Sequence, residues 1–207
     1  MVLVLATENR HKAEEIRAIF KLSAVIEVRT LADFPGVKLP PETGKTYREN
    51  AVQKALAVVD ATGHWAMGDD SGLEVEALGG APGLYSARYA GEGATYADNR
   101  KKLIDALGDL PDEKRGAAFI CAIALAGPDR KVDVAEGVCE GRITRAEAGG
   151  GGFGYDPIFF VPAYGKTFAE LPAAEKNKIS HRARAVAAAM EILRKKMGPE
   201  SAVKIAF

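Results

Sequence analysis

Two adjacent aspartates, Asp69 and Asp70, follow a short apolar run in the stretch "HWAMGDDSGLEVEAL". Two carboxylates at one point repel each other, so a cation or a solvated turn must compensate the pair. Mg²⁺ is a suitable cation, because one or two carboxylates together with substrate phosphate oxygens commonly hold it. Glu42 and Glu49 are possible further carboxylates. The alternative is a solvated acidic turn, and the residues alone leave both interpretations open.

A second candidate is the turn "ATENRHK", which joins an apolar run to a helical pattern. A strand that leads directly into a helix leaves backbone N–H groups free at the turn, where the helix dipole adds positive charge. Thr7, Asn9 and Lys12 add a hydroxyl, an amide and an ammonium, which are phosphate ligands. The alternative is that Thr7 or Asn9 only caps the helix and that Lys12 is a solvated surface lysine.

A third candidate lies at the start of the last predicted helix, where His181 and Arg182 occupy the first turn. A cation there opposes the helix dipole, and such local conflicts are most common at functional sites. The two side chains could bind a carbonyl or phosphate oxygen. The alternative is a surface turn in which both side chains reach into water.

Two familiar phosphate-binding motifs are incomplete. "GKT" at 44–46 lacks the P-loop glycine five positions before Gly44, where the chain has Leu39. Gly149, Gly151 and Gly154 fit the dinucleotide pattern G-x-G-x-x-G, but the strand-like "YDPIFF" follows them instead of a helix. Neither motif therefore predicts a nucleotide site by itself.

The elements that must position these residues alternate between short apolar runs and helical patterns, which predicts an α/β protein with a largely covered sheet. The predicted strands are 2–6, 64–70 ending at the acids, 73–78, 117–127, a hairpin or pair of strands within 131–146, and 157–162. The predicted helices are 9–21, about 45–62, a helix capped by Thr95 and ending at Gly108, and 180–197 followed by Gly198-Pro199.

Composition excludes several classes of protein. The 207 residues include 28 Lys and Arg and 28 Asp and Glu, and these charges are scattered, so we expect no binding to nucleic acid. No run approaches the roughly 20 apolar residues of a membrane helix, so we expect no membrane partner and a cytoplasmic protein. Cys121 and Cys139 fit no metal-ligand spacing and are predicted to be core residues.

Four segments carry a resemblance to a known family: "TENRHK", "DDSGLEVEALGGAPGLYSARYAG", "GGFGYDPIFF" and "EKNKISHRARA". In this order they resemble the inosine triphosphate pyrophosphatase family, which hydrolyses non-standard purine nucleoside triphosphates. The resemblance covers nearly the whole chain. In the first segment, Glu8 stands where members of the family commonly have glycine.

The resemblance implies a fold and an activity. The fold is a long, twisted, mixed sheet flanked by helices, a single domain over 1–207 with two lobes around a nucleotide-binding cleft, usually in a homodimer. The activity is Mg²⁺-dependent hydrolysis of XTP, dITP and ITP to the nucleoside monophosphate and pyrophosphate. Two alternatives keep the fold. A pyrophosphatase for modified pyrimidine triphosphates is disfavoured by "FGYDP" and "SHR", and a nucleotide-binding regulator without activity is disfavoured by intact Asp70, Glu42 and Lys12.

The resemblance also implies the roles of individual residues. Asp70 is the catalytic acid-base residue, and Asp70 and Glu42 hold the metal, with Asp69 as a further candidate. The residues implied to contact the substrate are Thr7, Glu8, Asn9, Arg10, His11, Lys12, Lys54, Ser71, Phe153, Gly154, Tyr155, Asp156, Lys176, His181 and Arg182. Among them, Phe153 stacks on the base, and His181 and Arg182 select the oxygen at purine position 6, because a buried donor loses its partner when it faces an amino group.

Overall fold

Within residues 1–20 and 26–197, which the computed structural model describes, the chain forms seven strands and five α-helices. In chain order they are β1 Val2–Ala6, α1 Arg10–Phe20, β2 Glu27–Thr30, α2 Tyr47–Thr62, β3 Trp65–Val75, α3 Tyr96–Leu107, β4 Gly116–Ala126, β5 Val132–Ile143, β6 Phe159–Val161, β7 Lys166–Thr167, α4 Ala173–Ile179 and α5 His181–Met197. No helix in these two ranges combines the length and the apolar composition needed to cross a membrane.

The strands form one mixed sheet in the order β2-β1-β3-β4-β5-β6-β7. Strand β1 is parallel to both β2 and β3, and β6 is antiparallel to both β5 and β7. This mixed sheet, with its helices, confirms the predicted α/β fold class.

The chain divides into two compact units, and the first contains the described part of residues 1–70, 121–137 and 181–207. Because side chains alternate along a strand, β1 contributes to two cores. Leu3 and Leu5 of β1 pack in a cluster with α1 and α5. Val4 and Ala6 of the same strand pack in a second cluster with α2. Functional groups on this sheet can therefore be reached from helices on either face.

The second unit contains residues 71–120 and 138–180. Its core gathers Leu103 and Leu107 of α3 with the inward side chains of the strands. Phe119, Phe159 and Phe168 form its aromatic centre, with ring centroids 4.6 to 5.9 Å apart. One face of helix α3 is thereby packed against the strands, and its other face can contact loops.

Local caps set the ends of α2 and α3. Thr46 caps α2 by accepting a hydrogen bond from the Glu49 N–H, and Gly63 ends the helix with a left-handed backbone, φ +67°. Thr95 and Asp98 form the expected capping box of α3. Both cysteines are buried and free. The predicted stop of the last helix at Gly198-Pro199 lies outside the described residues.

Two predictions about strands are wrong. Strand β3 does not end at the acids but runs without interruption from Trp65 to Val75, and 76–78 is a short 3₁₀ helix instead of strand. The segment predicted as a hairpin or pair of strands contains one strand, β5. Its glycines permit close packing: a Cβ on Gly137 would lie 2.2 Å from the backbone oxygen of His181.

Candidate active site

The turn after β1 contains the segment "TENRHK", which leads into the first turn of α1. The Oγ1 of Thr7 accepts a hydrogen bond from the Asn9 N–H at 3.2 Å. The Oδ1 of Asn9 accepts from the N–H groups of His11 and Lys12, at 3.0 and 3.3 Å. These are N-cap hydrogen bonds, so the capping interpretation holds for Asn9. Three other residues of this turn that the sequence predicted are exposed: Glu8, Arg10 and His11.

Asp69 lies at the centre of a buried ion-pair network, and its side chain is 1% exposed. Its Oδ1 accepts from Lys12 Nζ at 2.5 Å, and its Oδ2 accepts from Arg182 Nε at 2.8 Å. The Sγ of Cys121 donates to the same Oδ2 at 3.5 Å. Burial alone would raise the pKa of Asp69, but the charges of Arg182 and Lys12 outweigh burial and hold that pKa well below its usual range. Asp69 is therefore a permanent carboxylate.

This network decides two of the open alternatives. Lys12 is not a solvated surface lysine, because its side chain is 14% exposed and paired with Asp69. Arg182 does not reach into water, because its Nη1 donates to Glu15 Oε2 at 2.6 Å while its Nε donates to Asp69. His181 is also buried.

Asp70 has a separate set of partners, all from α2 and the segment before it. Lys54 Nζ donates to Asp70 Oδ1 at 3.0 Å and to Glu42 Oε1 at 2.7 Å. The Nδ2 of Asn50 donates to Asp70 Oδ2 at 3.0 Å. Burial raises the pKa of Asp70 against the opposing charges of Lys54 and Lys12. Burial would lower the pKa of Lys54, but Asp70 and Glu42 outweigh it and raise that pKa.

The alternation of side chains along β3 explains how two adjacent acids are tolerated. Asp69 and Asp70 point to opposite faces of the sheet, as successive strand residues do. The cations for Asp69 come from α1 and α5, and the cation for Asp70 comes from α2. The pair is neither at a strand end nor in a solvated turn, because each carboxylate has its own buried cation.

Gly68 lets helix α2 approach β3 closely enough for these contacts. A Cβ on Gly68 would lie 2.1 Å from the backbone oxygen of Ala51, one residue after Asn50 in the helix. Since that neighbour is backbone, it cannot rotate away. The absence of a side chain at Gly68 is therefore what allows Asn50 and Lys54 to reach Asp70.

We expect Gly68→Ala to lower the free energy of unfolding by about 2 kcal/mol, because the added methyl overpacks the contact between α2 and β3. Gly36→Ala is the matched control, since a Cβ there would meet nothing within 4 Å. Urea unfolding of both variants measures the difference. Equal stability of the two would show that α2 can move away from β3 without cost.

The predicted base-binding segment lies in the second unit and is also built around a buried acid. The Oδ2 of Asp156 accepts from the Phe153 N–H at 2.8 Å and from Lys176 Nζ. The ammonium of Lys176 also lies 5.0 Å from the ring centroid of Phe153, in a cation–π contact. Gly152 has φ +68°, and a Cβ there would lie 2.0 Å from Asp156 Oδ2. The structure thus brings Phe153, Asp156 and Lys176 together.

Three other residues of this unit were predicted to contact the substrate: Tyr155, Gly154 and Ser71. The Tyr155 hydroxyl donates to the Ser86 carbonyl at 2.9 Å, and burial raises the pKa of Tyr155. The Gly154 carbonyl accepts from Arg100 Nη1 at 2.9 Å. Ser71 is half-buried on β3, directly after Asp70.

Sequence reasoning missed two residues that hold the candidate site together. One is Asn50, four residues before Lys54 in α2, and a polar group on a buried helix face was the available signal. Glu15, which pairs with Arg182, gave no such signal, because its partner is 167 positions away.

The residues that could hold a divalent metal are Asp70 and Glu42, which face the same ammonium of Lys54. Two carboxylates suit Mg²⁺, which fills its other positions with water and phosphate oxygens. In the described part of the chain, no three His, Cys, Asp or Glu side chains form a group that could hold a metal ion. Asp69 is disfavoured as a ligand, because both its oxygens accept from cations.

Comparison with known proteins identifies the family of the chain. A sequence model of the Ham1 family matches residues 3–192. The chain belongs to the Ham1 family. Two of its relatives are 50% identical to it over the aligned residues, and both are named dITP/XTP pyrophosphatase. The protein from Desulforamulus reducens is 50% identical over 193 residues, covering 93% of this chain and 96% of its own. The protein from Geobacillus kaustophilus is 50% identical over 184 residues, covering 89% and 90%.

Solved Ham1 structures have the same fold. The HAM1 protein from Coxiella burnetii is 41% identical with a TM-score of 0.84, covering 94% of this chain and 99% of its own. The Ham1 protein from Staphylococcus aureus is 39% identical with a TM-score of 0.83, covering 95% and 100%. Membership of the Ham1 family confirms the resemblance that the four segments indicated.

Proposed function

We propose that this Ham1-family chain hydrolyses XTP, dITP and ITP to the nucleoside monophosphate and pyrophosphate, and so removes deaminated purines from the nucleotide pool. Relatives that are 50% identical and bear the name dITP/XTP pyrophosphatase support the substrate class. The single observation that carries the chemistry is the environment of Asp70. It is a buried carboxylate with raised pKa, next to the ammonium of Lys54 and on the strand beside the turn of Thr7, Asn9 and Lys12.

In the proposed reaction, water attacks the α-phosphorus in line with the leaving pyrophosphate. Asp70 orients this water and takes its proton as the general base. Lys12 and Lys54 offset the negative charge of the triphosphate and of the departing pyrophosphate. Thr7, Asn9 and Ser71 orient the phosphate oxygens. Attack at this phosphorus breaks the bond between the α-phosphate and the β-phosphate, so pyrophosphate leaves in one piece.

We propose Mg²⁺ as the cofactor, held by Asp70 and Glu42. When bound, it supplies positive charge that polarises the phosphate and stabilises the leaving group. Lys54 contacts both carboxylates in the structure, and its ammonium is positioned to keep them oriented.

For base recognition, we propose that Phe153 stacks on the purine while Gly154, Tyr155, Asp156 and Lys176 form the surrounding pocket. Stacking contributes affinity but does not discriminate between bases, because every base has an aromatic face. His181 and Arg182 then select the oxygen at position 6. A donor that faces the amino group of adenine loses its partner, and sites built on such hydrogen bonds can discriminate by about 10⁴.

Pyrophosphate release from XTP, dITP, GTP and ATP tests the proposal, each measured with Mg²⁺ and beside an orthophosphate assay. We expect pyrophosphate from XTP and dITP and little from GTP or ATP. Orthophosphate instead of pyrophosphate would place attack on the γ-phosphorus and contradict the mechanism. Nucleotide binding without turnover would favour the regulator considered above.

We also propose that the protein acts as a homodimer in the cytoplasm, where free nucleotides are its substrate. The resemblance to the family supports the dimer. Light scattering coupled to size-exclusion chromatography measures the oligomeric state directly, and a monomer at micromolar concentration would contradict this part.

A further inference from the structure

Arg100 of helix α3 contacts the loop that carries Phe153. Its Nε and Nη2 donate to Glu147 Oε1 and Oε2, at 2.8 and 3.0 Å, and its Nη1 donates to the Gly154 carbonyl at 2.9 Å. The guanidinium thus binds a carboxylate with two parallel hydrogen bonds and a backbone oxygen with a third, a geometry that lysine cannot reproduce. The Arg100 side chain is 14% exposed and that of Glu147 is 45% exposed, so the guanidinium is largely covered while its carboxylate partner is open to solvent.

These contacts bracket the glycine-rich part of the loop. Glu147 precedes the glycine run of 149–152, and Gly154 directly follows Phe153. Gly149, Gly152 and Gly154 have φ of +82°, +68° and +60°. Glycine loses more conformational entropy on ordering than other residues, so such a loop needs external contacts to hold one conformation. Arg100 supplies contacts on both sides of Phe153.

The same face of α3 also contacts the Phe153 side chain. Tyr96 is four residues before Arg100, and residues four apart lie on one face of a helix. The ring centroids of Tyr96 and Phe153 are 6.1 Å apart, at an interplanar angle of 49°. The helix itself is fixed by the packing of Leu103 and Leu107 in the core. A rigid element therefore holds both the aromatic ring and the backbone next to it.

We propose that Arg100 is a positioning residue that orders the Phe153 loop before the nucleotide arrives. The inference rests on the proposed function, in which Phe153 stacks on the base. Because Arg100 acts on the loop and not on the reacting phosphate, its loss raises KM and leaves kcat unchanged. Ordering before binding lowers the entropy lost when the substrate binds.

Kinetics with XTP and hydrogen exchange without nucleotide test this role in three variants. Arg100→Met removes all three hydrogen bonds, Arg100→Lys keeps the charge without the paired geometry, and Lys101→Met is the matched control on the same helix. In Arg100→Met we expect KM for XTP to rise about tenfold at unchanged kcat, and the amides of 149–156 to exchange about tenfold faster. For Arg100→Lys we expect a KM and exchange rates between those of Arg100→Met and those of Lys101→Met.

An unchanged KM in both Arg100 variants, or a fall in kcat at unchanged KM, would overturn the positioning role. If Arg100→Met does not fold, Arg100→Lys alone decides between these results. The failure of the proposed function is separate, because it would be seen as absence of XTP turnover by the unaltered protein.

Discussion

The Asp70→Asn variant is expected to lose about 10³-fold in kcat/KM for XTP while remaining folded. Asparagine has the shape of aspartate and can still accept one hydrogen bond from Lys54 or Asn50, so packing is preserved. It cannot take a proton from water, and its amide nitrogen faces the donor of either Lys54 or Asn50, whichever does not contact the amide oxygen. Steady-state kinetics on XTP measure the loss.

Glu74→Gln is the control for Asp70→Asn, since it removes a carboxylate from the same strand outside the proposed catalytic group. We expect Glu74→Gln to retain the kcat/KM of the unaltered protein, and both variants to show cooperative thermal unfolding. Full turnover by Asp70→Asn would assign the role in catalysis to another residue.

The second large effect concerns stability: Asp69→Asn should lower the free energy of unfolding by about 3 kcal/mol. Three donors point at the two oxygens of Asp69, from Lys12, Arg182 and Cys121. Asparagine replaces one of these acceptors with an amino group, so a donor faces a donor in either orientation of the amide. Arg182 keeps only Glu15 as a carboxylate partner in these contacts, and removing one partner of a buried ion pair is costly.

The pH dependence of that stability difference has a definite sign. The pKa of Asp69 is lowered on folding, so its contribution is fully present above the unfolded value of about 3.9 and is lost as the pH falls below it. The difference between Asp69→Asn and the unaltered protein should therefore be constant from about pH 5 to 8 and shrink below about pH 4. Urea unfolding across this range measures it.

Asp133→Asn is the control for Asp69→Asn. Its ion pair with Lys196 is partly exposed, 37% and 33% for the two side chains, so we expect a loss below about 1 kcal/mol. Equal losses in the two variants would mean that burial adds nothing to the network of Asp69.

Local sequence signals were sufficient for much of the fold. Caps and stops act within a few residues, so Thr95 and Gly108 marked the ends of α3 where the structure has them. Apolar periodicity identified the faces of α1 and α5 that are buried in the core. The error in β3 has the same origin. Adjacent acids beside a glycine look like a turn when only neighbouring residues are considered, because the cations that compensate these acids lie far along the chain.

The sequence by itself determined the family, four of the five α-helices in the described residues and the residue types available for phosphate and base binding. Only the tertiary structure decided which charge pairs with which. Lys12 meets Asp69 across 57 positions, and Arg182 meets Glu15 across 167. It also decided that Asp69 serves the structure while Asp70 faces Lys54 and Glu42, because two adjacent residues reach opposite faces only when one strand runs through both.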